Sequence, residues 1–98
     1  MTGRVSSYRD LQVWRRALDL AEAIYEATAH WPREERFGLV SQIRRAAVSV
    51  PSNIAEGAAR RSTGEFLQFI GMARGSLAET DTQLLLAQRL GYVHHADA

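Results

Sequence analysis

The chain has 98 residues, no cysteine, and twelve basic against eleven acidic side chains, for a net charge of +1. That length allows one domain, residues 1–98, near the small end of what buries an adequate core unaided. The missing cysteines exclude disulfide staples and thiolate chemistry and suit a reducing compartment, and a charge this close to neutral does not by itself announce a nucleic-acid binder. No apolar run is long enough to span a bilayer, and Met1-Thr-Gly-Arg-Val-Ser-Ser7 lacks the apolar core of a signal peptide, so the expectation is no membrane and a cytoplasmic location. All twelve basic residues are arginine. Codon bias is the plain account; selection for planar, bidentate phosphate contacts is the other.

The first helix is predicted from about Asp10 to about Ala29. Asp10 suits its N-cap, with Ser7 as a competitor because Ser7 to Asp10 has capping-box spacing. Leu11, Trp14, Leu18, Ala21 and Tyr25 recur at helical spacing, with Val13, Ala17, Leu20 and Ile24 as a second stripe beside them. Arg15, Arg16, Asp19, Glu22 and Glu26 occupy the opposite face, which makes this an amphipathic outer helix. His30-Trp31-Pro32 ends it, since proline removes a donor and drives the preceding residue out of the helical region.

The second helix is predicted from about Arg33 to Ala59, with Pro32 in its first turn and Glu34 and Glu35 near its positive end. Between Gly38 and Ala59 the only charged residues are Arg44, Arg45 and Glu56. Val40, Ile43, Ala47, Val50, Ile54 and Gly57 form a core stripe. Gln42, Arg45, Ser49, Asn53, Glu56 and Arg60 form a polar, mostly uncharged one, and Phe37, Val48, Pro51 and Ala55 form a third flank. A helix so poor in charge normally has neighbours on more than one side. Pro51 falls inside it, but the apolar rhythm stays in phase from Val50 to Ile54, so one bent helix is expected.

Ser62-Thr63-Gly64-Glu65 is a capping box before an apolar run, and the third helix is predicted over 63–90. Its core stripe is Phe66, Ile70, Ala73, Leu77, Leu84 and Ala87, with Phe69 alongside and Thr80 as the polar exception. Gly71, Gly75, Ala78 and Thr82 make a ridge of small residues. Each helical glycine costs about 1 kcal/mol relative to alanine, so the ridge predicts close approach of another backbone. Leu90-Gly91-Tyr92 reads as a Schellman stop. Three helices of this spacing call for a fourth to close an antiparallel bundle; Asp97 is placed to cap one, and the expectation is that the fourth is truncated or that another subunit covers the groove.

Catalytic motifs are absent: no Gly-x-Ser-x-Gly elbow and no lysine-bearing phosphate loop occur. His94 and His95, with His30, lack ligand spacing, so no metal and no cofactor are expected, and no small-molecule substrate is evident. Glu56 and Glu79, on weakly charged helix faces, are a conceivable acid–base pair. The structural alternative pairs each with Arg44, Arg45 or Arg74, or with Ser49, Asn53, Ser76 or Gln83. Arg44-Arg45 and Arg60-Arg61 lie about 24 Å apart along one helix, a spacing able to follow a phosphate backbone. The alternative consumes Arg45 in a buried ion pair and makes Arg60 and Arg61 partners of the helix C-terminus. No aromatic lies among these arginines in sequence, which argues against base stacking.

Leu11-Gln-Val-Trp14, the run Gln42-Ile-Arg-Arg-Ala-Ala-Val-Ser-Val-Pro-Ser-Asn-Ile-Ala-Glu-Gly57, Gly75-Ser-Leu-Ala-Glu-Thr80 and Leu90-Gly-Tyr92 together resemble the bacterial four-helix bundle family first noticed inside intervening sequences of large-subunit ribosomal RNA genes. The resemblance extends from Tyr8 to Val93. It implies an all-α, up-down bundle assembling in the cytosol as a ring, typically a pentamer, with no established enzymatic activity, so an enzyme is not expected. The accessory variability determinant of diversity-generating retroelements, which is similar, is a basic pentamer engaging a reverse transcriptase and nucleic acid. The chain departs from this pattern in its near-neutral charge and in lacking most of a fourth helix. The resulting expectation is a homo-oligomer that engages RNA or a nucleoprotein through Arg44, Arg45, Arg60, Arg61 and Arg74. Val48, Pro51, Asn53, Ala55, Glu56, Gly71, Gly75, Ala78 and Glu79 are expected at helix or subunit contacts. The rival expectation is an oligomer serving protein–protein contact alone.

Overall fold

The computed structural model describes residues 7–93; the expectations placed on His94, His95 and Asp97 lie outside them. Three α-helices and no strands occur among the described residues: α1, Gln12–Thr28; α2, Leu39–Ala58; and α3, Thr63–Arg89. The fold is therefore all-α, as the periodicity implies. The two predicted starts on the N-terminal side differ from those observed. Ser7 accepts from the Arg9 amide at 2.9 Å, but the turn it caps is a 3-10 turn, Tyr8–Asp10, and α1 begins only after Leu11. Residues Arg33–Glu35 likewise form a 3-10 turn, and α2 starts six residues later than the sequence suggests.

The cause of the late start is Glu35. Its Oε1 accepts from the Leu39 amide at 3.0 Å, satisfying one of the orphan donors of the first turn of α2. The same carboxylate receives the Tyr92 hydroxyl at 2.8 Å through Oε2. Tyr92 stands there because α3 ends as predicted: Gly91 has φ +85, the Tyr92 amide donates to the Ala87 carbonyl, and the Gly91 amide donates to Gln88. That is the paired bonding of a Schellman stop. The Tyr92 ring then lies 5.7 Å from that of buried Trp31. One carboxylate thus caps α2 and holds the end of α3.

These two bonds favour the ionised form of Glu35, holding its pKa below the usual 4.5, with the Leu39 amide the larger influence and the Tyr92 hydroxyl the second. The bond to Glu35 in turn raises Tyr92 above its ordinary 10.0. A lowered carboxyl pKa contributes stability that is complete above the unfolded value and lost as pH falls through the folded one; a raised phenol pKa contributes stability lost as pH climbs through the folded value. The melting temperature of the wild type should therefore decline below about pH 4.5 and above about pH 10. Glu35→Gln should flatten the acid limb in a thermal scan.

Every member of the predicted α2 core stripe is buried, from Val40 through Gly57, with Ile43 and Ala47 fully enclosed. The helix runs unbroken through Pro51, which is itself buried. Two apolar clusters result. One joins Ala21 and Ile24 of α1 to Val40, Ile43, Ala47 and Ala87, under Trp31 and Leu39. The other joins Ala17 to Val50, Ile54 and Ala73. Low residue numbers of α1 thus meet high numbers of α2, and α3 runs back along α2 in the same sense, so α2 carries contacts to both neighbours.

The flanks of α1 and α3 depart from the pattern their spacing implies. Val13, Leu18 and Tyr25 of α1 and Leu77 of α3, all placed on core stripes by spacing, are exposed. Thr80, the polar exception on the predicted α3 stripe, is buried as expected, and Thr28 and Gln83, which no stripe included, are buried as well. Thr28 and Thr80 return their hydroxyl protons to helical carbonyls at Ile24 and Ser76, so their burial leaves those donors satisfied.

The glycines divide in the opposite way to the expectation. A Cβ on Gly71 or Gly75 meets nothing within 4 Å, so among the described residues no backbone approaches the small ridge, and Ala78 beside it is exposed. The close approach falls at Gly57 instead, where a Cβ would lie 2.8 Å from the Phe69 Cβ and 3.2 Å from the Phe66 carbonyl oxygen. Its place on the core stripe marked it as buried, but nothing in the local sequence distinguished it from Gly71.

Candidate functional site

Arg44 is the best-anchored of the five arginines singled out above. Its Nε donates to the Thr28 hydroxyl at 2.8 Å and its Nη2 to the Tyr25 carbonyl at 3.3 Å, while the guanidinium sits 4.4 Å from the centre of the Tyr25 ring. Helix α1 has no basic residue in its own last turn, so Arg44 supplies positive charge to the negative end of that helix from across the interface. It is a tie between α1 and α2.

Arg45, one residue on, is exposed and is not consumed in a buried ion pair. It shares a shallow groove with Gln42, Ala46, Ser49 and Glu79. Arg60 pairs with Glu56 at 3.2 Å, four residues away on an exposed surface, and lies over the Phe69 ring at 4.7 Å; such a pair is worth at most about 0.5 kcal/mol. Arg61 lies beside it near Leu11, Ser62 and Phe66. Arg74 is on α3, exposed, beside Leu77, Ala78 and Asp81. The fold therefore does not gather the five into one patch.

The carboxylates are not gathered either. Glu56 belongs to Arg60, whereas Glu79 accepts from the Gln83 amide at 3.3 Å and faces the Gln42 to Ser49 stretch. Ser49 is seven residues, about 10 Å of helix, from Glu56. The arginine partners foreseen for them, Arg44, Arg45 and Arg74, hold neither. The polar ladder expected on α2 exists in part as local bonds: Ser49 donates to the Arg45 carbonyl and Asn53 to the Ser49 carbonyl, each near 2.9 Å. Its link across to α3 is Gln83 Nε2 to Gln42 Oε1 at 3.4 Å, which leaves Gln83 Oε1 buried without a partner. Among the described residues no group of three or more His, Cys, Asp or Glu is arranged to hold a metal, and no helix is long and apolar enough to cross a membrane.

What spacing missed is an aromatic component. Tyr25 and Phe37 do stand among arginines, lining one groove with Arg36, Arg44 and Arg45. Tyr25 arrives from α1 by packing, and Phe37 belongs to the turn before α2 and not to its flank, so no helical period connects them. Phe37 is 89% exposed.

The outer side of α2 completes the picture. Val48 is exposed, Asn53 and Ala55 are half-buried, Glu56 is exposed, and only Pro51 of that group is covered by the chain itself. No curated protein matches the sequence. The family described as 23S rRNA-intervening sequence protein matches it over residues 9–98, nearly the whole length. The chain belongs to the 23S rRNA-intervening sequence protein family.

Proposed function

We propose that this protein is a non-enzymatic, cytoplasmic helical bundle that self-associates and serves as an adaptor for RNA or a nucleoprotein. One observation carries the reading. Eleven large apolar side chains among the described residues are at least 40% exposed, five of them on α3 and a sixth, Leu90, at its C-cap. Burying each such side chain is worth about 1.5–3 kcal/mol, and contiguous exposed apolar surface marks an interaction site. Further copies of the same chain are the natural cover, in a closed ring that the family resemblance makes a pentamer. In that assembly the three helices belong to an antiparallel up-down bundle, and a helix of another copy takes the place of a fourth. Val48, Ala55, Gly71, Gly75 and Ala78 then lie at helix or subunit contacts.

The RNA component draws on the family and on the arginines that have no acidic partner among the described residues, Arg45, Arg61 and Arg74, with Arg44 and Arg60 in mainly structural roles. An electrophoretic mobility shift with ribosomal RNA fragments, repeated across a salt series, tests it. Binding should weaken steeply between low and physiological salt, as counterion release demands. Salt-independent binding, or none at low salt, rejects the adaptor. The rival reading, an oligomer for protein–protein contact alone, is favoured by the internal use of Arg44 and Arg60. Under that reading Arg45→Ala combined with Arg61→Ala changes no interaction.

A further inference from the structure

The turn between α1 and α2 and the first turns of α2 enclose a groove of about 530 Å³. Its lining combines two rings, Tyr25 and Phe37, with three guanidinium groups, Arg36, Arg44 and Arg45, and contains no carboxylate. Phe37 packs into neither core cluster. The Arg36 guanidinium lies 5.2 Å from the Phe37 ring centre, and among the described residues neither Arg36 nor Arg45 has an ion-pair partner. Phe37 therefore adds nothing to the core, while fixed positive charge flanks it.

That composition selects among partners. An apolar partner helix requires aliphatic walls, and here the only aliphatic lining residues are Val40, which is buried, and Val48. Aromatic and guanidinium planes side by side, without opposing acid, match the flat faces and the charged backbone of a polynucleotide. A base within a duplex is already stacked on its neighbours and cannot reach the Phe37 ring, whereas an unpaired one can. A volume in the range of small-ligand sites accommodates on the order of one or two nucleotides.

We infer that this groove holds an unpaired segment of RNA, with a base stacked on Phe37 and the adjoining phosphates on Arg36 and Arg45. Arg44 keeps the wall in place through Thr28 and Tyr25 and is a positioning residue. The inference rests on the adaptor reading and narrows it to a ligand class and a site.

Fluorescence anisotropy separates the two. The probes are a labelled unstructured RNA of about ten nucleotides, within the usual site sizes for such surfaces, and the same strand annealed to its complement. Wild type should bind the single strand more tightly than the duplex. Phe37→Ala should weaken single-strand binding by roughly tenfold, the loss of one stacked base, and Phe37→Trp should restore it. Arg45→Ala should lower the salt slope by about 0.7. Circular dichroism of Phe37→Ala should be unchanged, since the ring is exposed. If wild type binds RNA and Phe37→Ala binds equally well, the groove is not the site, though the adaptor stands. Equal affinity for the duplex overturns the ligand class. If Phe37→Ala alters the particle mass and leaves RNA affinity alone, Phe37 is a subunit contact and the inference fails. Binding of neither probe by wild type removes the adaptor and the inference together.

Discussion

Gly57→Leu should destabilise the protein by about 3 kcal/mol, near the upper end of overpacking costs, and lower the midpoint of urea unfolding accordingly. Two effects oppose each other at this position. Any side chain gains about 1 kcal/mol of helix propensity over glycine. Against that, the new Cβ would stand 2.8 Å from the Phe69 Cβ and 3.2 Å from a backbone oxygen of Phe66. Neither atom is the loose end of a flexible side chain, so α2 and α3 would have to part. Steric cost wins. The control is Gly75→Ala, where open space surrounds the new methyl group and only the propensity gain of up to about 1 kcal/mol remains within a single chain. An unchanged midpoint for Gly57→Leu would mean that the helix pair is not packed as described.

Ile43→Ala should cost about 3 kcal/mol, within the range for truncating a fully enclosed aliphatic residue. Ile43 is 0% exposed and sits in the cluster that joins α1, α2 and α3. For a domain whose total stability is of the order of 5–15 kcal/mol, that loss is a large fraction. Thermal unfolding followed by circular dichroism reads it directly. A loss under about 1 kcal/mol would place the hydrophobic centre elsewhere.

The ease of reading the sequence varied by helix for a definite reason. Helix α2 was legible because its core stripe, Val40, Ile43, Ala47, Val50, Ile54 and Gly57, keeps one phase, and every member of that stripe is buried. Helix α3 was legible at its ends: the Ser62 hydroxyl accepts from the Glu65 amide at 3.1 Å, and Gly91 adopts the positive φ of the stop. Its middle was not, because Leu67, Met72, Leu77, Leu85 and Leu86 surround the helix and periodicity cannot rank flanks that are all apolar. The start of α2 escaped detection because its cap is a side chain four residues upstream of Leu39, held in turn by Tyr92. That relation spans 57 residues, beyond the reach of any local pattern.

The candidate site was less legible than the fold. Arginine clusters are visible as letters, but their availability is decided by packing. Thr28 and Tyr25 occupy Arg44, and Glu56 occupies Arg60, whereas Arg45 and Arg36 remain beside exposed rings. Tyr25 and Arg44 are nineteen residues apart, and only the α1–α2 contact makes them neighbours.

The account depends on the outer side of α2 and the apolar surface of α3 being covered by sister chains. Size-exclusion chromatography with light scattering at micromolar concentration measures this most directly. The account predicts a single stable species whose mass is a whole multiple of 10.9 kDa, five being the multiple implied by the family resemblance. A stable particle of one chain, with Val48, Leu77 and Leu85 left facing solvent, would contradict it.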